Sequence, residues 1–293
     1  MYQASSNNNI KIDCADAEVW EDNDIKAFFP KRPSNVHKGT FGKACIVSYG
    51  ARVGASMLSA SACLRSGAGY TTLRVPEGLR VQVATALPSC IVESFQTLDE
   101  GMLTSDALAL GMGSGVSEAL YSLIKELLHD YHGTLLLDAD ALHALAKFGL
   151  KPLENKSCKV ILTPHPKEFS RLCNRSVEDV LKDAVSLAKK FAAQYGVTLV
   201  LKNNQTVITD GERTVINTTG SPALAKCGSG DVLSGLLVGT CARGLSAFDA
   251  ACVSCYVFGR AGEIAEQEFG QYAPTSSDVI SLLSRTIKSF EEF

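Results

Sequence analysis

Short hydrophobic runs alternate with helix-like segments along most of the chain. Residues 44–48 form a β-rich run that enters a turn at Gly50, and residues 55–69 place small side chains at helical spacing before a glycine stop. The same alternation returns in LALGMGSG before SEALYSLIKELLHD, in TLLLDAD before ALHALAKF, and in KVILTPH before PKEFSRL. Strands that alternate with helices predict a mostly parallel sheet covered by helices on both faces, an α/β fold.

The segment TVITDGERTVIN departs from this alternation. Two β-rich runs flank Asp210 and Gly211, and an Asp-Gly pair favours a hairpin turn. We therefore expect an antiparallel edge late in the sheet. After the hairpin, the pattern predicts one helix from about Asp231 and another around residues 247–268.

The chain is expected to form one main domain. Residues 1–30 are polar and lack a sustained period, which indicates a lead-in segment, and no repeat or linker divides residues 31–293. A length of 293 residues, of which 46% are hydrophobic and 20% charged, is enough for one large α/β domain.

Charge and targeting signals favour a protein that acts on small molecules. The formal net charge is −3 and basic residues do not cluster, so a role on nucleic acid or at a membrane surface has no electrostatic support. The first residues lack the basic and apolar regions of a signal peptide, and we therefore expect a cytoplasmic location.

The ten cysteines are predicted to be free thiols, since most of them occur singly in apolar segments. Cys252 and Cys255 have CxxC spacing, but they lie in an apolar, helix-like run without a second CxxC or a nearby histidine pair. We interpret them as core residues of a helix rather than as a metal or redox site.

The stretch CGSGDVLSG is the strongest indication of a chemical site. Gly228, Ser229 and Gly230 come directly before Asp231 and a long uncharged segment. The first N–H groups of a helix have no partner within it, so a glycine-rich helix start suits an anion that approaches closely. A carboxylate repels a phosphate but acts well as a base beside one. Asp231 is therefore either a base or an N-cap, and the motif alone leaves both open.

Further polar residues follow the predicted strands, at the edge where parallel sheets bind ligands. His165 lies between two prolines that hold its backbone extended, so we expect its imidazole to point into a cleft, although a purely structural role stays open. Asp138 and Asp140 are candidate Mg²⁺ ligands or helix caps; capping is favoured for Asp140, and Asp138 stays open. Lys202 either contacts a nucleotide phosphate or is exposed to solvent.

A glycine-rich turn in LALGMGSGVSEAL offers a rival hypothesis. Gly111, Gly113 and Gly115 between a strand and a helix look like half of a dinucleotide-binding fingerprint, and Asp138 follows near the spacing of a ribose-binding acid. Against this hypothesis, the third glycine comes one residue too early and the motif does not open the first βαβ unit. The sequence also lacks GxxxxGKS/T, which excludes a P-loop enzyme.

Taken together, HKGTFGK, GAGYTTLRVP, GMGSG, LLLDADAL, ILTPHPKEFSRL and NTTGSPALAKCGSGDVLSG resemble the ADP/ATP-dependent NAD(P)H-hydrate dehydratases in order and spacing. The resemblance covers roughly residues 30–290 and implies the ribokinase-like fold, a three-layer α/β/α sandwich, without the epimerase domain of the bifunctional relatives. Two positions depart from the usual family pattern: Asn203 follows Lys202 where a glycine is usual, and Ser48-Tyr49-Gly50 replaces a Gly-Gly-Ser-like turn.

The resemblance implies the repair of hydrated NADH or NADPH at the expense of ADP or ATP, with Mg²⁺ as cofactor and a homo-oligomer, a tetramer, as the assembly. It implies that Asp231 is the base and that the N–H groups of Gly228, Ser229, Gly230 and Asp231 hold the developing charge. The hydrate pocket would contain Ala55, Gly113, Gly115, His165 and Asp231. The nucleotide would contact Lys202, Asn203, Asn204, Gln205, Thr206, Asn217, Thr219 and Gly230.

Two other classes of function remain open at this level. A small-molecule alcohol kinase of the same fold would release a stable phosphorylated product, and a catalytically silent nucleotide-binding protein would keep the pocket without turnover. The half-fingerprint around Gly113 is consistent with the dehydratase, because its substrate is itself a dinucleotide.

Overall fold

The computed structural model describes residues 17–291, and within them a single sheet runs through the molecule. Its strand order is β3-β2-β1-β4-β5-β6-β7-β8-β9, with parallel pairing from β3 to β7 and antiparallel pairing of β8 with β7 and β9. The strands are β1 (Lys43–Val47), β2 (Tyr70–Val75), β3 (Ile91–Ser94), β4 (Ala107–Leu110), β5 (Thr134–Leu137), β6 (Lys159–Leu162), β7 (Thr198–Leu201), β8 (Thr206–Thr209) and β9 (Thr214–Asn217).

The antiparallel edge predicted from Asp210 and Gly211 is confirmed. These two residues begin the turn between β8 and β9, and Gly211 has a φ of 95° that favours glycine.

Helices cover both faces of the sheet. In the described part of the chain they are α1 (Asp22–Lys26), α2 (Val53–Cys63), α3 (Arg80–Ala86), α4 (Glu100–Leu103), α5 (Glu118–Asp130), α6 (Asp140–Phe148), α7 (Pro166–Leu172), α8 (Val177–Lys182), α9 (Ala184–Tyr195), α10 (Ser229–Ala242), α11 (Ala247–Phe269) and α12 (Ser276–Lys288). The helix predicted from about Asp231 therefore begins two residues earlier, and the one predicted around residues 247–268 is confirmed. None of these described helices combines the length and apolar character needed to cross a membrane.

The core is divided by the sheet, because successive strand residues point to opposite faces. Leu137 packs with the apolar faces of α5, α6, α7 and α9, whereas its neighbour Leu136 packs with α10 and α11 on the other side. The central strands β4 and β7 are buried along their whole length, as expected of a parallel sheet covered twice. The three-layer α/β/α architecture is therefore confirmed.

The described part of the predicted lead-in, residues 17–30, packs on the same body. Glu18 forms a parallel bridge with Val215 of β9, Ile25 in α1 is fully buried, and Trp20 stacks on Phe28. Residues 1–16 lie outside the described residues, so the division at residue 30 stays a prediction.

The cysteines of the described chain are free, and both members of the CxxC pair are buried on α11, which confirms their interpretation as core residues. Burial raises the pKa of the Cys255 thiol to about 12, so it is not a reactive thiolate near neutral pH.

The strand order places a crevice between β1 and β4. β1 continues to β2 on one side and β4 lies on the other, which makes this the switch point where open parallel sheets bind ligands. The loops after these two strands touch: a Cβ at Gly50 would lie 2.8 Å from the carbonyl oxygen of Gly113. The fold thus brings the glycine loop of residues 111–115 to the carboxyl edge of the sheet.

Candidate active site

A cavity of about 820 Å³ opens at the carboxyl edge of the sheet, between the ends of β6, β7 and β9 and the start of α10. Most of the residues predicted to contact a nucleotide line it: Lys202, Asn203, Asn204, Thr206, Asn217, Thr219 and Gly230. Gln205 is outside this lining, and its backbone N–H donates to the Asn204 side chain at 3.0 Å. The volume is in the range of small-molecule and cofactor sites.

The glycine motif forms a tight turn into α10. Gly228 has a φ of 91°, and a Cβ there would lie 2.7 Å from both the Ser276 hydroxyl oxygen and a Leu58 methyl carbon. No other residue fits this position without strain and displacement of neighbours. The sequence therefore needs glycine at this point to start the helix at the cavity.

Two of the first amides of α10 are available to an anion. The Ser229 N–H donates to the Lys226 carbonyl at 3.3 Å, and the Val232 N–H makes the first helical bond, to Gly228. Within residues 17–291, no protein oxygen accepts a hydrogen bond from the N–H groups of Gly230 and Asp231. The helix start thus has the free donors and the positive dipole end that bind an anion, with Gly230 and Asp231 rather than Ser229 supplying the N–H groups.

Asp231 is not an N-cap. Gly228 occupies the cap position, and across the described residues no hydrogen bond reaches the Asp231 carboxylate. Its backbone carbonyl is held by the Ser59 hydroxyl of α2 at 2.8 Å. Burial, helped by the negative charge of Asp138 and opposed by Lys202, raises the pKa of the Asp231 carboxyl to about 6. This carboxylate is therefore a proton acceptor of unusual basicity with no protein donor attached.

Asp138 and Lys202 form a buried ion pair next to this helix start. The Lys202 ammonium lies 2.9 Å from Asp138 Oδ1, and the Ser234 hydroxyl of α10 donates to Asp138 Oδ2 at 2.7 Å. Asp138 is 2% exposed. Burial alone would raise the pKa of Asp138, but the Lys202 charge and these hydrogen bonds lower it. Asp138 is thus neither a helix cap nor an open metal ligand, and Lys202 is not a solvated surface lysine.

The Lys202 ammonium also faces the amide turn. A Cβ at Gly230 would lie 3.4 Å from Lys202 Nζ, so the cation sits directly beside the turn that carries the free amides. Burial tends to lower the pKa of Lys202, but the charges of Asp138 and Glu168 raise it above its usual value. The lysine therefore stays charged at neutral pH.

His165 lines the cavity, as predicted, and also caps α7. Its Nδ1 accepts the N–H groups of Lys167 at 3.1 Å and Glu168 at 3.3 Å, while the Glu168 carboxylate accepts the His165 N–H at 2.9 Å. A proton on Nδ1 would face two donors, so the neutral ring carries its proton on Nε2. Burial lowers the pKa of His165, and Glu168 opposes that shift only in part. The neutral ring thus carries its N–H on Nε2, which lies 3.5 Å from Glu168 Oε1.

The interpretation of Asp140 as a helix cap is wrong. Ala139 takes the cap position of α6 with a φ of 49°, and Asp140 becomes the first helical residue. Its Oδ2 instead accepts the Gly115 N–H at 2.7 Å and lies 3.4 Å from Arg52 Nη2.

The two features that suggested a dinucleotide fingerprint both have partners within the protein. The Gly115 N–H donates to Asp140, and the Asp138 carboxylate pairs with Lys202. The rival dinucleotide-fold hypothesis is therefore wrong.

The residues predicted to bind the hydrate lie in two places. Gly113 and Gly115 are in the crevice after β4, where a Cβ at Gly113 would lie 2.3 Å from the Arg52 carbonyl, and Ala55 follows in the first turn of α2. His165 instead lines the 820 Å³ cavity beside the nucleotide residues. The start of α10 lines the cavity with Ser229 and Gly230. Asp231 is outside that lining, and its backbone carbonyl is held by Ser59 of α2, one turn after Ala55.

The described residues do not form a protein cage for Mg²⁺. No group of three or more His, Cys, Asp or Glu side chains among residues 17–291 is arranged to hold a metal ion, and the oxygens of Asp138 and Asp140 already have partners. Mg²⁺ commonly binds through substrate phosphates and retained waters. The side chains present therefore fit a Mg²⁺ ion that arrives on a nucleotide rather than one resident in the protein.

Sequence reasoning missed two serines that position the site. Ser234 binds Asp138, and Ser276 donates to the Cys227 carbonyl at 2.9 Å, immediately before the glycine turn. The sequence does contain an indication of the role of Ser234. It lies one helical turn after Asp231 in a mostly apolar segment, and a buried hydroxyl there requires a hydrogen-bond partner. Ser276 lies 49 positions from Cys227, and no local pattern connects them.

Comparison with known proteins identifies relatives of the chain by sequence and by structure. A family model described as NAD(P)H-hydrate dehydratase matches residues 46–285. An ADP-dependent (S)-NAD(P)H-hydrate dehydratase from Cenarchaeum symbiosum is 33% identical over 290 residues, covering 94% of this chain and 98% of the relative. A crystal structure of an ADP/ATP-dependent NAD(P)H-hydrate dehydratase from Bacillus subtilis, co-crystallized with ATP/Mg²⁺, superposes with a TM-score of 0.84 at 28% identity, covering 94% of this chain and 100% of that one.

Longer relatives match only in part. The bifunctional NAD(P)H-hydrate repair enzyme of Moorella thermoacetica is 34% identical over 279 residues, which cover 90% of this chain and 52% of that enzyme. The chain therefore spans about half the length of the bifunctional relatives. From the family match and the full-length relative together, the chain belongs to the NAD(P)H-hydrate dehydratase family.

Proposed function

We propose that this protein dehydrates the S form of NADH hydrate or NADPH hydrate back to NADH or NADPH, using ADP or ATP and passing through a phosphorylated intermediate. The single observation that carries the proposal is the Asp231 carboxylate, which has a raised pKa and no described hydrogen-bond partner at a helix start with free amides. A base of this kind beside an anion site is what phosphorylation of an alcohol requires.

Asp231 performs the first step. Its carboxylate takes the proton of the ring hydroxyl, and the oxygen of that hydroxyl forms a bond to the terminal phosphorus of the nucleotide. The bond between that phosphorus and its bridging oxygen breaks, which releases AMP from ADP or ADP from ATP. A carboxyl pKa of about 6 leaves Asp231 largely ionised at neutral pH yet far more basic than an ordinary aspartate.

The start of α10 stabilises the charge that develops on the transferred phosphoryl group. The N–H groups of Gly230 and Asp231 have no protein acceptor in the described chain, and the Lys202 ammonium lies beside Gly230. Donors that are fixed before the reaction need no reorganisation during it, and such preorganisation is a large part of phosphoryl-transfer catalysis.

The second step needs little from the protein. The lone pair of the ring nitrogen expels phosphate by breaking the carbon–oxygen bond, and the departing phosphate takes a proton from the adjacent ring carbon of the resulting cation, which restores the dihydropyridine. When Mg²⁺ is bound to the nucleotide, it neutralises phosphate charge. His165, with its proton on Nε2, offers a neutral donor in the same cavity.

We assign the 820 Å³ cavity to the nucleotide and the crevice between β1 and β4 to the hydrate. The cavity contains Lys202, Asn217, Thr219 and other predicted nucleotide contacts, whereas Ala55, Gly113 and Gly115 belong to the crevice. A position of Asp231 between the two bound molecules, as transfer demands, is supported by its neighbours Ser229 and Gly230, which line the cavity, and by the bond of its carbonyl to Ser59 of α2, the helix that carries Ala55.

The decisive experiment incubates the protein with NADH hydrate or NADPH hydrate and follows the absorbance of the reduced cofactor. Recovery is expected only with ADP or ATP and Mg²⁺, together with one phosphate released per turnover. An alcohol kinase would instead accumulate a stable phosphorylated product. Asp231→Asn should abolish turnover while nucleotide binding persists; an unchanged rate in this variant contradicts the assignment of the base.

We further propose that the protein works in the cytoplasm as a homo-oligomer, a tetramer by resemblance to its family. The proposal is tested by sedimentation equilibrium at several protein concentrations and by fractionation of the source cells. A monomer at all concentrations, or recovery in a membrane fraction, contradicts it.

A further inference from the structure

Two carboxylates compete for one lysine at the start of α10. Lys202 influences the pKa of both Asp138 and Asp231, yet its ammonium pairs with Asp138 at 2.9 Å, and Asp231 has no hydrogen-bond partner among the described residues. Opposite charges attract strongly in a partly buried site, so a Lys202 side chain that was not held would move toward Asp231. The contact that holds Lys202 is its ion pair with Asp138.

Asp138 is well placed for this task. It directly follows β5, Lys202 directly follows β7, and Ser234 belongs to α10, so the three hydrogen-bonded side chains tie two strand ends to the helix that carries Asp231. The Asp138 side chain is 2% exposed and the Lys202 side chain 21% exposed, which shields the pair from water. Partners fixed on both oxygens leave the Asp138 carboxylate no freedom to turn.

We propose that Asp138 is a positioning residue: it binds the Lys202 ammonium and the Ser234 hydroxyl, and so keeps Lys202 beside the phosphate site while leaving the Asp231 carboxylate free to accept a proton. This inference rests on the proposed function, in which Asp231 is the base. It adds a residue that touches neither substrate yet decides whether the base is available.

The surroundings of Asp231 make the consequence of losing Asp138 specific. Among the described residues, the charges that shift the pKa of Asp231 are those of Asp138, after β5, and Lys202, after β7. Glu168 and His165, at the start of α7, interact electrostatically with Lys202. Loss of the Asp138 carboxylate has two effects. Asp231 is no longer repelled by it, and Lys202 is no longer held by it. Both changes lower the pKa of Asp231, so neither offsets the other.

The test is Asp138→Asn, which keeps the size of the side chain and removes its charge. The rate of hydrate repair is expected to fall about 100-fold, as for a displaced catalytic group. At the same time, the acid limb of the kcat/KM profile should move from near pH 6 toward lower pH. The titration of the ¹³C-labelled Asp231 carboxyl, followed by NMR in the free protein, should move in the same direction without any turnover being needed.

The double variant Asp138→Asn/Lys202→Met separates positioning from folding. It removes both charges of the buried pair, so neither Asp138 nor Lys202 is left without its counter-ion and the variant should fold even if the single variant does not. With Lys202 absent, burial again dominates, and the Asp231 titration should return toward pH 6. Lys202 lowers the pKa of Asp231 even from its wild-type position, so movement of Lys202 is tested directly: a crystal structure of Asp138→Asn is expected to show the Lys202 ammonium within ion-pair distance of the Asp231 carboxylate.

The Arg74–Asp99 pair supplies a matched control. Its length of 2.8 Å is similar and its arginine side chain is 11% exposed, although Asp99 is 43% exposed and Arg74 also pairs with Glu93. The pair lies at β2, away from the groups that act on Asp231. Asp99→Asn should lower stability without moving the Asp231 titration. The inference is overturned if the crystal structure of Asp138→Asn shows Lys202 in its wild-type position, or if Asp138→Asn leaves the Asp231 titration near pH 6. Absence of hydrate repair by the wild-type protein would overturn the proposed function instead, and the position of Lys202 in the crystal structure of Asp138→Asn would still decide the positioning.

Discussion

Asp140 accepts a hydrogen bond of 2.7 Å from the Gly115 N–H, so a carboxylate of the protein occupies an amide of the glycine loop after β4. A dinucleotide fingerprint keeps its amides for the pyrophosphate of its ligand. Here the loop is instead fixed by an internal bond, and Gly113 packs directly on the Arg52 carbonyl. The loop thus has one shape before any ligand arrives.

Asp140→Ala should therefore weaken binding of the hydrate rather than of the nucleotide. Loss of the bond to Gly115 frees the loop in the crevice, and the KM for NADH hydrate is expected to rise about tenfold at little change in kcat. Nucleotide affinity, measured by calorimetry, should stay within twofold of the wild-type value. Asp179→Ala, which also removes an acid from the first turn of a helix, is the control and should leave this KM unchanged. An unaltered KM in Asp140→Ala contradicts the placement of the hydrate in the crevice.

The sequence predicted the sheet and its antiparallel edge because both depend on local patterns. Buried parallel strands are mostly apolar, and the Asp210-Gly211 turn is a short-range signal. The glycine motif before Asp231 was also readable, since a helix start with free amides follows from the chain itself.

The roles of the two acids after β5 could not be predicted in the same way. Which carboxylate faces α10 depends on the turn at Ala139, whose positive φ no local propensity demands. The partner of Asp138 lies 64 positions away at the end of another strand. Asp140 was therefore expected to cap a helix and instead binds a loop, while Asp138 was left open and proves to be paired.

Gly228→Ala should disrupt the start of α10. A Cβ at this position meets the Ser276 hydroxyl oxygen and Leu58 at 2.7 Å, and the φ of 91° is itself unfavourable for alanine, so the free energy of unfolding should fall by more than about 2 kcal/mol. Nucleotide affinity should fall as well, because the amides of the turn move.

Gly244→Ala is the matched control for that variant. Gly244 has a φ of 99°, but a Cβ there meets no atom within 4 Å, so only backbone strain of about 1 kcal/mol is expected and nucleotide binding should be unaffected. Urea unfolding and calorimetry measure both quantities. Equal losses in the two variants would show that the contacts with Ser276 and Leu58 do not matter.

Lys202→Met should destabilise the protein strongly. The change leaves Asp138 buried without its counter-ion, and the removal of one member of a buried pair costs about 3–5 kcal/mol of unfolding free energy. Arg80→Met, which breaks the exposed pair with Glu77, should cost at most about 1 kcal/mol. The double variant Asp138→Asn/Lys202→Met should be more stable than Lys202→Met alone. A loss for Lys202→Met no larger than that for Arg80→Met contradicts the description of the pair as buried and coupled.

Asp231→Asn should raise the melting temperature at pH 7.5 while it abolishes turnover. The pKa of Asp231 is about 6 in the folded protein against an ordinary value of 3.8, so folding favours the protonated carboxyl and the ionised form destabilises the folded state above pH 6. An asparagine removes that penalty. As the pH falls through 6 toward 4, the wild-type protein takes up the proton and loses the same penalty, so the two melting temperatures should converge.

Thermal unfolding of both proteins from pH 4 to pH 8 measures this difference. Asp249→Asn is the control: the Asp249 carboxylate accepts a hydrogen bond from Ser246, so this variant should not gain stability at high pH. A wild-type protein that is more stable than Asp231→Asn at pH 7.5 would mean that the carboxylate is satisfied within the fold, and a satisfied carboxylate is a poor base. The same burial that makes Asp231 basic thus makes it costly to the fold, as expected where a side chain is kept for chemistry rather than for stability.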